Sequence, residues 1–148
     1  MKIERITPAH LGGIATLERL CFAAPWSEDS LAHLCGTLGT GFVCVDDARV
    51  IGYIGLWAAP DEWQITNVAT HPDYRRRGVA SALLLAAQNA AKKSGILQLS
   101  LEVRASNEEA ASLYEHHGFV RVGVRRGFYK NPTEDAFVML CALENENG

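Results

Sequence analysis

Apolar residues change their period several times along the chain, and each change marks an element. Charged and apolar residues alternate through Met1-Lys2-Ile3-Glu4-Arg5-Ile6, the two-residue period of a strand. From Leu11 the apolar set Leu11, Ile14, Ala15, Leu17, Leu20 and Cys21 recurs every three or four positions. That spacing predicts a helix entered at Thr7-Pro8, where proline suits the first turn. Ala24-Pro25 breaks it, and Ser27 followed by Glu28 and Asp29 predicts a second capped helix ending near Gly36 to Gly41. Phe42 to Val45, Val50 to Trp57 and Trp63 to Ala69 are short apolar runs separated by Asp46-Asp47 and Pro60-Asp61-Glu62. They predict an antiparallel meander.

Gly78 to Lys93 is rich in Ala and Leu and closes on Lys92-Lys93-Ser94-Gly95, residues that suit the carbonyl end of a helix. Leu97, Leu99, Leu101 and Val103 then alternate with Gln98, Ser100, Glu102 and Arg104. A strand with that pattern turns Glu102 to the face opposite the leucines. Asn107 caps a further helix to His117-Gly118, and Phe119 to Val124 and Ala136 to Leu143 read as two closing strands around Lys130-Asn131-Pro132-Thr133. The chain therefore predicts an α/β protein of about seven strands and four helices.

Composition sets bounds on this picture. With 148 residues, 48% of them apolar, the chain suffices for one packed core, so residues 1–148 are expected to form a single domain. It contains no run of about 20 uninterrupted apolar residues, and its start lacks the apolar stretch of a secretory signal. A cytoplasmic protein with no membrane partner is expected. The net charge of −3 is dispersed, leaving no overall basic field to draw nucleic acid; a cationic substrate fits better. Cys21, Cys35, Cys44 and Cys141 are far apart, without a Cys-x-x-Cys pair, which predicts reduced thiols packed in the core. His71, His116 and His117 lack the spacing of a ligand set, and no metal is expected.

Chemistry concentrates where the third meander strand meets the Ala-rich helix, at Asn67-Val68-Ala69-Thr70-His71-Pro72-Asp73-Tyr74-Arg75-Arg76-Arg77-Gly78-Val79-Ala80-Ser81. Gly78 and small Ala80 let backbone approach a ligand, the first amides of the helix are free, and its dipole favours pyrophosphate. The arginines add charge-assisted contacts. No Gly-Lys-Ser/Thr follows and Gly-x-Gly-x-x-Gly is absent, which argues against ATP and NAD. Taken alone, Arg-x-x-Gly-x-Ala also suits a solvated basic loop.

The loop Arg75-Arg76-Arg77-Gly78-Val79-Ala80 and the order of predicted elements resemble the GNAT acetyltransferase superfamily. A more specific likeness lies in Leu101-Glu102-Val103-Arg104-Ala105-Ser106-Asn107, Leu113-Tyr114-Glu115, Gly118-Phe119, Arg125-Arg126, Glu134-Asp135-Ala136 and Pro25-Trp26-Ser27. These are similar to the bacterial branch of that superfamily that acetylates the N-terminal alanine of a small-subunit ribosomal protein. The resemblance implies a mixed, mostly antiparallel central sheet flanked by helices, acetyl-CoA as co-substrate, and direct transfer to the N-terminus of that ribosomal protein. It implies Glu102 as general base, directly or through water, and Tyr114 as general acid toward the CoA thiolate. It also implies that backbone of Val68, Ala69 and Thr70 meets the pantetheine arm, that Arg75, Arg76, Arg77, Gly78, Val79, Ala80 and Ser81 hold the pyrophosphate, and that Asn107 and Tyr114 touch CoA.

Those roles agree with general chemistry. An N-terminal amine titrates near ~8, so a carboxylate beside it has less to do than beside a lysine near ~10.4. On pattern alone, Glu102 reads equally as an exposed strand carboxylate and Tyr114 as a core residue of its helix. Glu28, Asp29, Asp61, Glu62, Glu134 and Asp135 are candidates to hold a basic peptide, and Tyr129 falls where the resembling enzymes line their peptide groove. A monomer or weak dimer without direct nucleic-acid contact is expected. Two other functions stay open: acetylation of a small-molecule amine, and a non-catalytic acyl-CoA-binding adaptor. A cysteine nucleophile at Cys35 or Cys44 has no supporting motif.

Overall fold

A computed structural model describes residues 1–144. Seven strands, β1 (Lys2–Arg5), β2 (Gly39–Asp46), β3 (Arg49–Ala58), β4 (Trp63–Thr70), β5 (Gln98–Arg104), β6 (Val120–Tyr129) and β7 (Glu134–Ala142), form one sheet in the order β1-β2-β3-β4-β5-β7-β6. Every neighbouring pair is antiparallel except β4 and β5. Four α-helices, α1 (Leu11–Cys21), α2 (Glu28–Leu31), α3 (Val79–Lys93) and α4 (Glu108–His116), complete the chain. The predicted mixed α/β architecture is thus observed.

Helix α3 carries Val79, Leu83, Leu84, Ala87 and Ala91 into the larger core, against Ile51, Ile54 and Leu56 of β3 and Leu99 and Leu101 of β5. Each buried Val, Leu or Ile side chain among them contributes about 1.5–3 kcal/mol by leaving water. On the other face α1 buries Leu11, Ile14, Ala15 and Leu17 with Leu31, Leu34 and Tyr53. The sheet is consequently covered on both sides, and its central strands read as almost unbroken apolar runs.

The second predicted helix is much shorter than its pattern. Ser27 does cap it, accepting a bond from the Ser30 amide at 3.1 Å, but α2 ends at Leu31 and a 3-10 turn, Ala32–Cys35, follows. Few apolar residues in this stretch recur at helical spacing: Leu31 and Leu34 are buried among exposed neighbours, which is too little burial to extend a helix. The sixth strand exceeds its predicted end by five residues, reaching Tyr129, because pairing with β7 continues from Arg125↔Ala136 to Tyr129↔Glu134 across a register shift that breaks the alternation. The thiols are all free. Cys44 and Cys141 are buried as expected, but Cys21 is half-buried and Cys35 exposed, a correction that follows from Cys35 ending the 3-10 turn at the surface.

The feature that positions the site is the parallel pair. β4 and β5 share only two partner pairs, Trp63↔Leu99 and Gln64↔Ser100. Beyond them the strands part, leaving Ile65–Thr70 and Leu101–Arg104 unpaired with each other. Backbone groups along a strand need partners, and the parting edge of β4 carries groups that β5 does not satisfy.

Candidate active site

Glu102 stands where the two strands part. Alternating burial along β5 turns Leu99, Leu101 and Val103 inward and leaves Glu102 on the other face, as the pattern predicts. Its Oε2 accepts the Gln64 Nε2–H at 3.0 Å, and Arg125 Nε lies 3.3 Å from its Oε1. The carboxylate is 16% exposed and the arginine 59%, so the pair is open to competition from another cation.

A cavity of ≈ 360 Å³ lined by Trp26, His33, Trp57, Gln64 and Thr66 adjoins it. Its wall is anchored from beneath. Glu18, 1% exposed, accepts the Tyr53 hydroxyl at 2.7 Å and the Trp26 backbone N–H at 2.9 Å, which ties the Pro25-Trp26-Ser27 segment to α1 and β3. Burial, and then the adjacent carboxylate, push the Tyr53 phenol far up. Sequence reasoning missed Glu18: it falls on the apolar face of α1 next to Leu17, and that misplacement was the available signal. Gln64, Thr66 and Trp57 were also missed, since strand position alone does not tell a cavity wall from a core.

Tyr114 is buried at 8% exposure in the larger core and packs on Phe119 at 5.8 Å between ring centroids. Burial, with a lesser contribution from Tyr129, pushes its phenol up to about 12. It belongs to the core on the face of β5 that carries Leu101 and Val103, opposite Glu102. Tyr129 lies beneath the Arg104 guanidinium, 4.4 Å from ring centroid to carbon, and burial followed by Glu102 raises its phenol.

The β6–β7 end is fixed by acids that the sequence offered as peptide holders. Glu134 accepts the Ser106 backbone N–H at 2.6 Å and bonds Arg104 at 3.2 Å; the Ser106 hydrogen bonds, then Arg104, hold its carboxyl below the usual range. Asp135 accepts from the Gly127 amide at 2.9 Å, and Glu62 from Gln98 at 3.0 Å. Glu28, Asp29 and Asp61 remain without such internal bonds among the described residues.

The basic loop lies at the far end of the parted strands. Thr70 ends β4, its carbonyl accepting the Cys21 Sγ–H at 3.4 Å; Val68 leans on the larger core and Ala69 on the smaller. Tyr74 fixes the turn, donating to Asp46 at 2.7 Å, accepting from Arg49 at 3.2 Å and lying under Arg77. Arg75, Arg76 and Arg77 are exposed, and none is paired with a carboxylate among the described residues. Gly78 precedes α3 at φ 79°, a left-handed conformation that glycine adopts without a Cβ penalty. A Cβ there would meet nothing within 4 Å, and no side chain caps the helix. The first amides of the helix, at Val79, Ala80 and Ser81, thus have no side-chain cap and stand beside three exposed guanidinium groups that no carboxylate pairs among the described residues, a donor set that fits a pyrophosphate.

Two predicted contacts are partly engaged. Asn107 Oδ1 accepts the Ala110 N–H at 3.1 Å, leaving its amide nitrogen for a ligand, and Ser81 Oγ bonds His117 Nε2 at 3.0 Å, leaving its backbone N–H. Burial lowers the His117 pKa, with a smaller contribution from His116.

Residues 11–119 match the acetyltransferase (GNAT) family. Over 129 residues the chain is 35% identical to the ribosomal protein bS18-alanine N-acetyltransferase of Escherichia coli strain K12, covering 86% of this chain and 87% of that protein. A Bacillus subtilis strain 168 protein that carries the same name provisionally is 36% identical over 129 residues, 86% of this chain and 85% of its own. The crystal structure of the E. coli ribosomal-protein-S18-alanine N-acetyltransferase superposes with a TM-score of 0.90 at 32% identity, over 99% of this chain and 97% of that one. The parted strands, the carboxylate beside them and the uncapped helix start behind a basic loop accord with that likeness: the chain belongs to the GNAT acetyltransferase family.

Proposed function

We propose that this chain, a single GNAT domain, transfers the acetyl group of acetyl-CoA to the α-amine of the N-terminal alanine of ribosomal protein bS18. The observation that carries this reading is Glu102 at the parting of β4 and β5, beside an aromatic-walled cavity. It is supported by relatives at 35–36% identity.

Acetyl-CoA supplies an activated thioester. Amides of Val79, Ala80 and Ser81, with Arg75, Arg76, Arg77 and Gly78, receive its pyrophosphate, and the Asn107 amide nitrogen adds a donor. The unpaired edge of Val68, Ala69 and Thr70 receives the extended arm and offers a backbone N–H to the thioester carbonyl. Glu102 then takes one proton from the substrate ammonium, directly or through water. The freed nitrogen lone pair bonds the acetyl carbon as the carbon–sulfur bond breaks, and the sulfur keeps that electron pair.

Tyr114 faces the leaving sulfur. A phenol held near 12 stays protonated throughout the working range, but it is a weaker acid than a thiol near ~8.5. Tyr114 therefore stabilises the thiolate chiefly by donating a hydrogen bond; the nitrogen sheds a second proton as the amide forms, and that proton neutralises the sulfur while the one held by Glu102 passes to water. This refines the general-acid role implied by the family.

Turnover with a peptide beginning Ala-Arg, compared with a panel of polyamines, amino sugars and free amino acids, tests the assignment. The peptide is expected to have by far the highest kcat/KM, and Glu102→Gln to lower kcat by about 10²–10⁴. A small amine preferred over the peptide would overturn it.

A further inference from the structure

Two polar atoms in the protein interior have no hydrogen-bond partner among the described residues, and they belong to consecutive residues: Thr66 Oγ1 and Asn67 Oδ1. Buried polar atoms are nearly always paired, so two orphans side by side call for a cause. The cause begins with a β-bulge. Leu56 opposes Ile65 and Gly55 opposes Asn67, which leaves Thr66 as the extra residue on β4. A bulge breaks strict alternation, and here it turns both Thr66 and Asn67 to the face that carries Gln64 and Trp57. Gly55 makes room for them: a Cβ there would come within 3.0 Å of Thr66 Oγ1 and 3.5 Å of Asn67 Oδ1.

Both oxygens therefore lie over the bare Cα of Gly55, on the cavity side of the sheet. Thr66 lines that cavity together with Gln64, and Gln64 is bonded to Glu102. We propose that Thr66 and Asn67 dock the acceptor amine, taking its N–H groups on Thr66 Oγ1 and Asn67 Oδ1 while Glu102 takes the proton. This inference rests on the amine-acetyltransferase reading above. The chemistry is matched in number: a primary ammonium that surrenders one proton keeps two N–H donors, and two acceptors without donors lie on the face where Gln64 holds the base. Holding those two hydrogens would leave the lone pair aimed away from them, toward β5. The Thr66 hydroxyl gives up no existing bond when it turns about χ1 to meet the amine.

The test exploits an opposition between stability and binding. Thr66→Val preserves shape and removes an unsatisfied hydroxyl, so the free protein should melt at the same temperature or higher. The KM for the Ala-Arg peptide should rise about five- to tenfold, the scale of one lost hydrogen bond, with the KM for acetyl-CoA unchanged. Thr66→Ser, which keeps the hydroxyl, should restore the peptide KM to within about twofold. An unchanged peptide KM in Thr66→Val, or a lower melting temperature with both KM values raised together, overturns the proposal. The dissociation constant of the amine from the CoA-loaded protein is read alongside, by calorimetry, so the comparison needs no turnover. If the wild type binds a small primary amine in place of the peptide, the bS18 reading fails while the same Thr66→Val comparison, made with that amine, still decides this one.

Discussion

Arg125 Nε lies 3.3 Å from Glu102 Oε1, so the carboxylate assigned as the base already holds a cation before any substrate arrives. An incoming ammonium competes for the same oxygen. The arginine is the exposed partner, and exposed pairs are worth about 0.2–1 kcal/mol. Arg125→Gln should therefore lower the peptide KM by up to about fivefold at low salt, with the advantage shrinking as salt screens the competition. Steady-state kinetics at two ionic strengths checks this; a rise in KM would mean that Arg125 contacts the substrate instead.

Tyr114 makes a pH prediction. Its phenol is raised to about 12 in the folded protein from ~10 in an unfolded chain. A group whose folded pKa is raised contributes stability that is complete below the unfolded value and is lost as pH climbs through the folded one. Both stability and turnover should thus be insensitive to Tyr114 ionisation up to pH ~10. kcat/KM should climb as the substrate amine deprotonates near ~8 and then stay level. A decline centred near pH 10 that disappears in Tyr114→Phe would show an ordinary phenol.

Glu18 links stability to the acceptor wall. Its two carboxylate oxygens are used by Tyr53 and by the Trp26 amide, and Glu18→Ala would strand the buried Tyr53 hydroxyl at a cost of about 1–3 kcal/mol. Thermal unfolding should register that loss. The double variant Glu18→Ala with Tyr53→Phe should recover part of the stability, because no buried hydroxyl is left without a partner, yet keep a raised peptide KM, because the Trp26 amide stays untied. Full recovery of both would reduce Glu18 to a packing residue.

Gly78 separates conformation from contact. No atom lies near its absent Cβ, so Gly78→Val disturbs the backbone at φ 79° rather than a neighbour, at about 1–2 kcal/mol. The acetyl-CoA KM should rise severalfold while the peptide KM is unaffected. A matched Arg75→Gln, Arg76→Gln, Arg77→Gln triple variant should flatten the salt dependence of the acetyl-CoA KM.

The layout of elements was legible because hydrophobic period changes with element type: Leu97 to Arg104 alternates, Val79 to Lys93 does not, and the structure divides them accordingly. The loop-to-helix junction was legible because Gly78 has a conformational reason to precede a helix. Other parts were hidden for physical causes. The short α2 depends on how little Leu31 and Leu34 bury, and the bulge at Thr66 depends on Gly55 across the sheet; neither is a local property. The internal bonds of Glu134, Asp135 and Glu62 join residues 8 to 36 positions apart in sequence, beyond the reach of any periodic pattern.

The most direct measurement is the intact mass of ribosomal protein bS18 with its N-terminal alanine free, after incubation with this protein and acetyl-CoA. A gain of one acetyl group is expected, mapped to the alanine α-amine, abolished when that amine is blocked beforehand and greatly slowed in Glu102→Gln. An unchanged mass with the wild type, or an acetyl group found on a lysine side chain, would contradict the account.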